Sequence, residues 1–433
     1  MGRYFIQNFG CRATQADGAA LESLLAAKGL EAASERIAAD LVILNTCTVT
    51  AAADDDVRQT VRRVHRENPE ARILVTGCYA QRAPQELAGM SGVEWVVGNS
   101  HKPQIADLVT LDATGAPYHG NIHVGDIFAQ RDFLSSPVDD AAGDRTRPNL
   151  KIQDGCNNRC SFCIIPFVRG RSRSAPADDV VAQVRGLAAR YREIVLSGIN
   201  LGRWGREPGS AMRLAGLLRR LLAETPVERL RLSSIEPMDL SDDLLGLMAD
   251  SPRIAKHAHA PLQSGSDRIL RRMHRKYRPR HYQDRILQAR ALMPDAAIGA
   301  DVMVGFPGET DEDFEENHRF IAALPFTYLH VFTYSERPGT PAAEYPGAIP
   351  MLVRKERNRA LRELAAAKNL EFRRRMVGRP LSAVTLNEAG SALTHNYIKV
   401  EMSASRAANL IVNLQIGGLT CGGLREAAPP AGT

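Results

Sequence analysis

Long apolar runs are missing from this 433-residue sequence. Nowhere do about 18 apolar residues follow one another, which is the length that a helix needs to cross a bilayer. The opening MGRYFIQNFGC also lacks the basic and apolar segments of a secretory signal. We therefore expect a soluble, cytoplasmic protein with no membrane association.

Nucleotide-binding glycine motifs are missing as well. No G-x-G-x-x-G occurs, and GFPGET at 305–310 is not followed by the Lys-Ser/Thr of a P-loop. The chain is long enough for about two or three domains, so it needs no disulfide framework. Its seven cysteines are an odd number, and we expect metal ligands or reactive thiols of a reducing compartment.

Three of the cysteines end similar segments near the N-terminus. The β-like runs RYFIQNFGC, ADLVILNTC and ARILVTGC end on Cys11, Cys47 and Cys78, with helical segments between them at roughly 15–28 and 54–67. This βαβαβ pattern predicts a parallel sheet. Because parallel strands end at one edge, the three thiols can converge on one ligand. Three unrelated buried cysteines are the alternative.

A second group of thiols follows a polar stretch at 126–148 that we interpret as a linker. The segment DGCNNRCSFC at 154–163 contains Cys156, Cys160 and Cys163. A structural zinc would need four ligands, and no histidine lies between Cys163 and His257. A [4Fe–4S] cluster held by three cysteines would leave one iron open to a ligand, and we favour this reading.

The rest of the chain predicts two further β structures. Six strand-like runs alternate with helices: KIQDGC, EIVLSGIN, RLRLSSIEP, KHAHAPLQSG, AIGADVMVGF and YLHVFTYS. They predict a partial (β/α)6 barrel with its chemistry at the strand ends. From about 380, LSAVTLNE, HNYIKVEM and ANLIVNLQIGG predict a small β-barrel, and the tail EAAPPAGT is expected to be disordered. The fold class is α/β, divided into 1–125, the linker 126–148, 149–375 and 376–433.

The C-x3-C-x2-C spacing, with Phe162 before the last cysteine, resembles the radical S-adenosylmethionine (SAM) enzymes. That resemblance implies that SAM binds the open iron and, on one-electron reduction, yields a 5′-deoxyadenosyl radical. It makes seven residues candidates for SAM contacts, although ordinary turn chemistry would explain most of them equally well. They are Phe162, Ser197, Gly198, Asn200, Ser234, Glu236 and Gln263.

Several motifs resemble the methylthiotransferases within that superfamily: NTCTVT at 45–50, TGCYAQ at 76–81, DGCNNRCSFCIIPFVRGRSRS at 154–174, PLQSGS at 261–266 and GFPGET. The resemblance implies that Cys11, Cys47 and Cys78 hold an auxiliary [4Fe–4S] cluster, and that the second trio holds the SAM cluster. It further implies two SAM molecules per turnover, a sulfur donor and a low-potential electron donor such as flavodoxin or ferredoxin. The C-terminal barrel resembles the RNA-binding TRAM domain of that family.

The cysteine motifs look most like the branch that acts on threonylcarbamoyladenosine next to the anticodon of tRNA. The branches for isopentenyladenosine and for a ribosomal-protein aspartate stay open. Outside this family, a non-catalytic iron–sulfur protein that binds RNA and senses redox state or iron would need the ligands but no SAM pocket.

Basic residues indicate an RNA partner. Lys and Arg total 55 against 49 for Asp and Glu, a net charge of +6. Arg58, Arg62 and Arg66 share one face of the second predicted helix, and RGRSRS places further cations beside the second cysteine group. A solvated helix face is the commoner meaning of such runs. The expected RNA contacts are Arg58, Arg62, Arg66, Arg169, Arg171 and Arg173.

Overall fold

The computed structural model describes residues 2–111, 121–130, 133 and 146–428. A six-stranded parallel sheet forms the N-terminal part. Its strands are β1 Arg3–Asn8, β2 Glu31–Ala32, β3 Leu41–Thr46, β4 Arg72–Gly77, β5 Val93–Gly98 and β6 Asn121–His123, in the order β2-β1-β3-β4-β5-β6. Its helices are α1 Arg12–Ala27, α2 Ala51–Glu67, α3 Cys78–Arg82, α4 Pro84–Ala88 and α5 Ile105–Leu111.

Apolar residues on both faces explain why the sheet lies between helices. Val42 and Leu44 of β3 pack in the cluster that contains Val57 of α2, whereas Ile43 packs with Leu21 of α1. Successive side chains of a strand point to opposite faces, so a strand covered on both sides reads as a continuous apolar run. The predicted parallel sheet is confirmed.

The helix starts differ from the prediction. Helix α1 begins at Arg12 and α2 at Ala51, three residues before the expected positions. The Thr50 hydroxyl accepts a hydrogen bond from the Ala53 N–H at 3.2 Å. This N-cap, rather than the aspartates at 54–56, sets the start of α2 because it satisfies an otherwise unpaired N–H of the first turn.

All six predicted strands of the central part are present. They are β7 Asn149–Asp154, β9 Glu193–Gly198, β10 Arg229–Leu232, β11 His257–His259, β12 Ala297–Val304 and β13 Tyr328–Thr333, with the short β8 Arg173–Ser174 antiparallel to β7. The helices are α6 Ile165–Arg169, α7 Ala177–Ala188, α8 Leu214–Glu224, α9 Asp242–Asp250, α10 Asp267–Arg272, α11 Pro279–Leu292, α12 Asp311–Ala323 and α13 Met351–Arg374.

These strands form an open barrel. The orders are β10-β9-β7-β8 and β11-β12-β13, and a parallel bridge between Leu230 and Ile254 connects the two sheets. Within the described residues, no ladder joins β13 to β7. The strands therefore curve into a partial barrel, as predicted.

A closed barrel ends the described chain. Its strands are β14 Pro380–Thr385, β15 Ser391–Thr394, β16 Lys399–Glu401, β17 Ile411–Leu419 and β18 Leu424–Glu426. Glu426 was expected in a disordered tail. Instead it belongs to β18 and forms an ion pair with Arg406 at 2.6 Å. Residues 429–433 lie outside the described part of the chain.

Direct hydrogen bonds connect the three parts. Asn149 of β7 donates to the Arg12 carbonyl at 2.6 Å. Arg337 donates to Asp54 of α2 at 2.7 Å, and Arg231 of β10 donates to the Thr394 carbonyl at 3.0 Å. Most of the predicted linker at 126–148 lies outside the described residues, so the domain boundaries stay predictions. Among the described residues, no helix combines the length and hydrophobicity that a bilayer crossing requires.

Candidate active site

The first cysteine trio lies at neighbouring strand ends, as predicted. Strand β3 pairs with β1 and with β4, with Asn45 opposite both Asn8 and Thr76. Cys11, Cys47 and Cys78 follow these three strands. Burial, followed by the nearby Cys78 and Cys11 thiols, raises the pKa of Cys47 to about 12. The three sulfur atoms therefore share one electrostatic environment.

Glycines make room for these thiols. Gly10 has φ +87°, and a Cβ there would lie 2.6 Å from the Cys47 Cβ and 2.8 Å from its Sγ. Gly155, before the second trio, has φ +68°, and a Cβ there would lie 2.0 Å from the Arg171 carbonyl oxygen. Both positions need a residue without a side chain. The Gly-Cys dipeptides are a sequence signal that the motif analysis missed.

The second trio lies on the loop after β7, and its sulfur atoms receive hydrogen bonds. The Asn158 N–H donates to Cys156 Sγ at 3.4 Å, and Arg275 donates to Cys160 Sγ at 3.2 Å. Burial, followed by the neighbouring Cys160 thiol, raises the pKa of Cys163 to about 12. Such a thiol ionises at neutral pH only when a cation compensates its charge, and metal coordination supplies that cation.

Neither cysteine trio is arranged as a single-zinc site. Four sulfur atoms around one zinc at about 2.3 Å would lie about 3.8 Å apart. Among the described residues, no three cysteine thiols lie within 4.8 Å of one another. The thiols would therefore have to move to share one zinc ion.

A buried ion network connects the two trios. The carboxylate of Asp17 on α1 pairs with Lys102 at 2.9 Å and with Arg169 at 3.0 Å, and it also contacts Lys151. Asp154 at the end of β7 pairs with Lys151 at 2.9 Å and with Arg169 at 3.0 Å. Arg173 also lies 3.7 Å from Asp154. Four cations thus face two carboxylates, and this excess of positive charge lies beside the first trio.

The position of Arg169 corrects a prediction. It was expected to contact RNA, but it is 1% exposed. Burial alone would lower its pKa, but the charges of Cys78, Asp154, Asp17 and Cys11 together hold that pKa well above its usual value. Arg169 therefore serves the cysteine site and the contact between the sheet and the barrel rather than an RNA surface.

Known proteins resemble the chain over nearly its whole length. Residues 3–98 match a family model described as uncharacterized protein family UPF0004, and residues 150–321 match the radical SAM superfamily. The threonylcarbamoyladenosine tRNA methylthiotransferase MtaB of Aquifex aeolicus (strain VF5) is 37% identical, over 95% of this chain and 99% of that protein. The chain belongs to the radical SAM methylthiotransferase family.

Other relatives of this methylthiotransferase carry two kinds of name. The MtaB protein of Bacillus subtilis (strain 168) is 39% identical over 82% of this chain and 79% of its own length. A tRNA-2-methylthio-N(6)-dimethylallyladenosine synthase of Thermobifida fusca (strain YX) is 35% identical over 89% of this chain and 78% of its own length. The radical SAM methyltransferase TsrM of Kitasatospora setae, at a TM-score of 0.57 and 16% identity, covers 79% of this chain and 76% of its own, and it shows the fold alone.

Radical SAM membership implies a [4Fe–4S] cluster and SAM, and the second trio fits them. Asn200 follows β9, and its Nδ2 lies 3.9 Å from Cys156 Sγ. Its Oδ1 is buried without a hydrogen-bond partner among the described residues, so it can accept from a bound ligand. Glu236 pairs with Arg275, the residue that also contacts Cys160.

The other predicted SAM residues have mixed outcomes. Gly198 ends β9, Ser234 follows β10, and Phe162 packs partly buried beside Phe306. Gln263 has φ +66°, and its N–H donates to the Asp301 carbonyl at 2.8 Å. Ser197 is a correction, because its side chain is fully buried and its hydroxyl lies 3.5 Å from the Leu150 carbonyl instead of facing a ligand.

Some of the predicted RNA contacts have internal partners, whereas others are exposed. Arg58 donates to Glu86 at 2.7 Å and also contacts Asp55, so its charge is already compensated. Arg62 and Arg66 are exposed, and neither forms an ion pair with a described residue. Arg171 and Arg173 line a cavity of about 1030 Å³ beside the second trio, together with Asn158 and Asn200. Arg173 is a correction, because its side chain is mostly buried, lies 3.7 Å from the Asp154 carboxylate and donates to the Arg169 carbonyl at 2.9 Å.

Arg275 is a functional residue that the sequence analysis missed. It lies far along the chain from the cysteine motif, within the basic run at 268–282, and only the fold brings it to Cys160. No local sequence signal separates it from the exposed arginines of that run.

Proposed function

We propose that this protein is a tRNA methylthiotransferase that replaces the C2 hydrogen of threonylcarbamoyladenosine, next to the anticodon, with a methylthio group. The main support is that one cysteine trio follows strands of the N-terminal sheet and the other follows β7 of the barrel, with a buried ion network connecting them. The substrate is proposed because relatives with that name include the protein matched over 95% of this chain.

Two open metal sites suit this reaction. An aromatic C–H bond is too weakly acidic for a side-chain base, so its hydrogen must leave as an atom. The cluster bound by Cys156, Cys160 and Cys163 would supply the electron that cleaves SAM and so generates the radical. We propose that Cys11, Cys47 and Cys78 hold a second [4Fe–4S] cluster that carries the sulfur. A second SAM would then donate the methyl group.

The residues of the chain would hold these groups in place. Asn200, Glu236, Gln263, Gly198, Ser234 and Phe162 are the proposed contacts to SAM. The ion network around Asp17 would fix the distance between the two sites, and the packed interface would limit access of water and oxidants to the waiting sulfur.

The proposed tRNA surface consists of Arg62, Arg66 and Arg171, together with the C-terminal barrel at 376–433. Exposed guanidinium groups without an internal partner are available for phosphate oxygens. We also propose a cytoplasmic location, a flavodoxin or ferredoxin as the electron donor and a separate sulfur donor.

Deleting the gene and digesting total tRNA for mass spectrometry tests the substrate. The 2-methylthio form of threonylcarbamoyladenosine should disappear, its unmodified parent should accumulate, and complementation should restore it. The 2-methylthio form of isopentenyladenosine should be unchanged. Loss of that second nucleoside instead would assign this protein to the other tRNA substrate. No change in either would direct attention to a ribosomal-protein aspartate.

A further inference from the structure

Three polar side chains form a cluster on the inner wall of the central barrel. Asp301 lies on β12, with His330 opposite it on β13 and His259 at the end of β11. Asp301 Oδ1 lies 3.2 Å from His259 Nε2 and 3.1 Å from His330 Nδ1. The His259 side chain is 6% exposed, whereas those of Asp301 and His330 are 25% and 53% exposed. The cluster is therefore buried at His259 and open to solvent at His330.

Hydrogen-bond chemistry determines which atoms remain available. A carboxylate only accepts, so both imidazole nitrogens must donate to Oδ1. With Nε2 as the donor, His259 Nδ1 can accept from the Tyr328 hydroxyl at 2.9 Å, and that hydroxyl can accept from His257 Nε2 at 2.7 Å. No described residue donates to Asp301 Oδ2. His330 Nε2 is likewise left for a ligand.

The barrel wall is tightly packed where the Gly299 backbone meets the Tyr328 ring beside the cluster. Gly299 lies opposite Tyr328, and a Cβ at Gly299 would lie 1.9 Å from the tyrosine Cζ. Burial favours the neutral form of Asp301, but hydrogen bonds from His259 and His330 outweigh it and hold the pKa of Asp301 below its usual range. The cluster thus presents a carboxylate in a defined orientation.

Contacts connect the cluster with the residue after Cys11 and with a proposed SAM contact. The Tyr328 ring is 5.8 Å from that of Tyr397, whose hydroxyl accepts from Arg12 at 3.3 Å, and Arg12 directly follows Cys11. On the other side, the backbone of Gln263, a proposed SAM contact, donates to the Asp301 carbonyl at 2.8 Å. Asp301 thus contacts a proposed SAM residue, and Tyr328 is connected through Tyr397 with the residue after Cys11.

We propose that Asp301 and His330 bind the polar group attached to N6 of the target adenosine. This inference rests on the proposed function and identifies the residues that select its substrate. The threonylcarbamoyl group offers amide N–H donors to Asp301 Oδ2, and its hydroxyl can donate to His330 Nε2. An isopentenyl group offers no hydrogen-bonding atom, so it would leave these side chains unpaired, which is a strong basis for rejection.

The same donor set could also bind a divalent metal. In this structure, however, both histidine nitrogens that point inward are already hydrogen-bonded to Asp301 Oδ1. The half-exposed His330 ring is better placed for a ligand that approaches from its exposed side. A metal ion bound at the cluster would overturn the proposal.

Binding to anticodon stem-loops tests the inference. Three RNAs of one sequence would carry threonylcarbamoyladenosine, isopentenyladenosine or unmodified adenosine, and their Kd values would be measured with the iron-loaded protein without reductant, so that no turnover occurs. The wild type should bind the threonylcarbamoyl RNA most tightly. Asp301→Asn and His330→Phe should each lower that preference about tenfold or more, as expected for lost hydrogen bonds to charged groups. Their affinity for unmodified RNA should stay within about twofold.

Controls separate the possible failures. His281→Phe alters an exposed histidine on the outer helix α11 and should behave as wild type. His330→Gln provides a second variant if His330→Phe lowers the melting temperature or the iron content. A wild type that prefers isopentenyl RNA would refute the proposed substrate. A wild type that prefers threonylcarbamoyl RNA, with variants that keep the full preference, would refute this inference alone. A stoichiometric extra metal that Asp301→Asn removes would also refute it.

Discussion

Arg275 shows how one side chain acts on a cysteine that is distant in sequence. Its guanidinium donates to Cys160 Sγ at 3.2 Å and pairs with Glu236. Hydrogen bonds to the sulfur ligands of an iron–sulfur cluster help to set its reduction potential. Arg275 therefore connects Glu236, a proposed SAM contact, with a sulfur atom whose hydrogen bonds affect the reduction potential of the cluster.

Replacing Arg275 with Leu should lower the reduction potential of the cluster at the second trio, because a donor to Cys160 is lost. An EPR-monitored redox titration of the reconstituted protein would measure the shift. Arg275→Lys keeps a charge beside Glu236 and should shift the potential less. Arg271→Leu removes an exposed arginine of α10 and serves as the control. An unchanged potential in a folded, fully loaded Arg275→Leu protein would contradict this role.

Individual residues also show which parts of the site could be predicted from the sequence. The six cysteines were predictable because their spacing and their positions after strands are local patterns. Arg169 was misassigned because a basic run does not reveal its ion pairs with Asp154 and with Asp17, which lies 152 residues earlier in the chain. The partners of Asp301 were hidden for the same reason, since β11, β12 and β13 come together only in the fold.

At the scale of elements, Glu193 holds neighbouring barrel strands together. It begins β9, and its carboxylate pairs with Arg231 of β10 at 2.7 Å. Burial raises its pKa, but the charge and hydrogen bonds of Arg231, followed by the charges of Arg147 and Arg229, outweigh burial and bring the pKa to about 2. The folded pKa is thus below the unfolded value of about 4.3.

This shift predicts acid sensitivity. The stability from Glu193 is present above the unfolded pKa, and it is lost as pH falls from about 4.3 to about 2, on the order of 3 kcal/mol. Urea unfolding at several pH values across this window should show a smaller pH dependence for Glu193→Gln than for wild type. Glu388→Gln, at an exposed position, should keep the wild-type dependence. Equal pH dependence in all three proteins would refute the assignment.

Elements were predictable where the burial pattern is strong. The three strands that precede cysteines and the six barrel strands are apolar or β-branched runs bounded by polar turns. Strands β2, β8 and β18 were missed because they contain two or three residues and form only through pairing with a neighbour. Strand β5 was also missed, although its run VEWVVG is buried beside β4. Long-range pairing, not local preference, determines such short strands.

At the scale of the whole molecule, the ion network around Asp17 connects the N-terminal sheet with the barrel. Asp17→Asn would leave Lys102, Lys151 and Arg169 with one carboxylate fewer. We expect the free energy of unfolding to fall by roughly 3–5 kcal/mol, because buried cations lose their partner. Urea denaturation would measure it. Asp107→Asn removes a carboxylate that pairs with Lys28 at 2.7 Å, with both side chains about half exposed, and should cost about 1 kcal/mol or less. Equal losses would contradict the structural role of the network.

We propose above that the two cysteine trios hold different clusters, one that cleaves SAM and one that carries the sulfur. The most direct measurement compares Cys160→Ala and Cys47→Ala after anaerobic reconstitution, with iron content, 5′-deoxyadenosine and methylthio-nucleoside measured in the presence of dithionite, SAM and the tRNA stem-loop. Each variant should lose about four iron atoms. Cys160→Ala should form neither product, whereas Cys47→Ala should still form 5′-deoxyadenosine but no methylthio-nucleoside. Equal loss of SAM cleavage in both variants, or a wild type with only one cluster, would contradict the division of tasks.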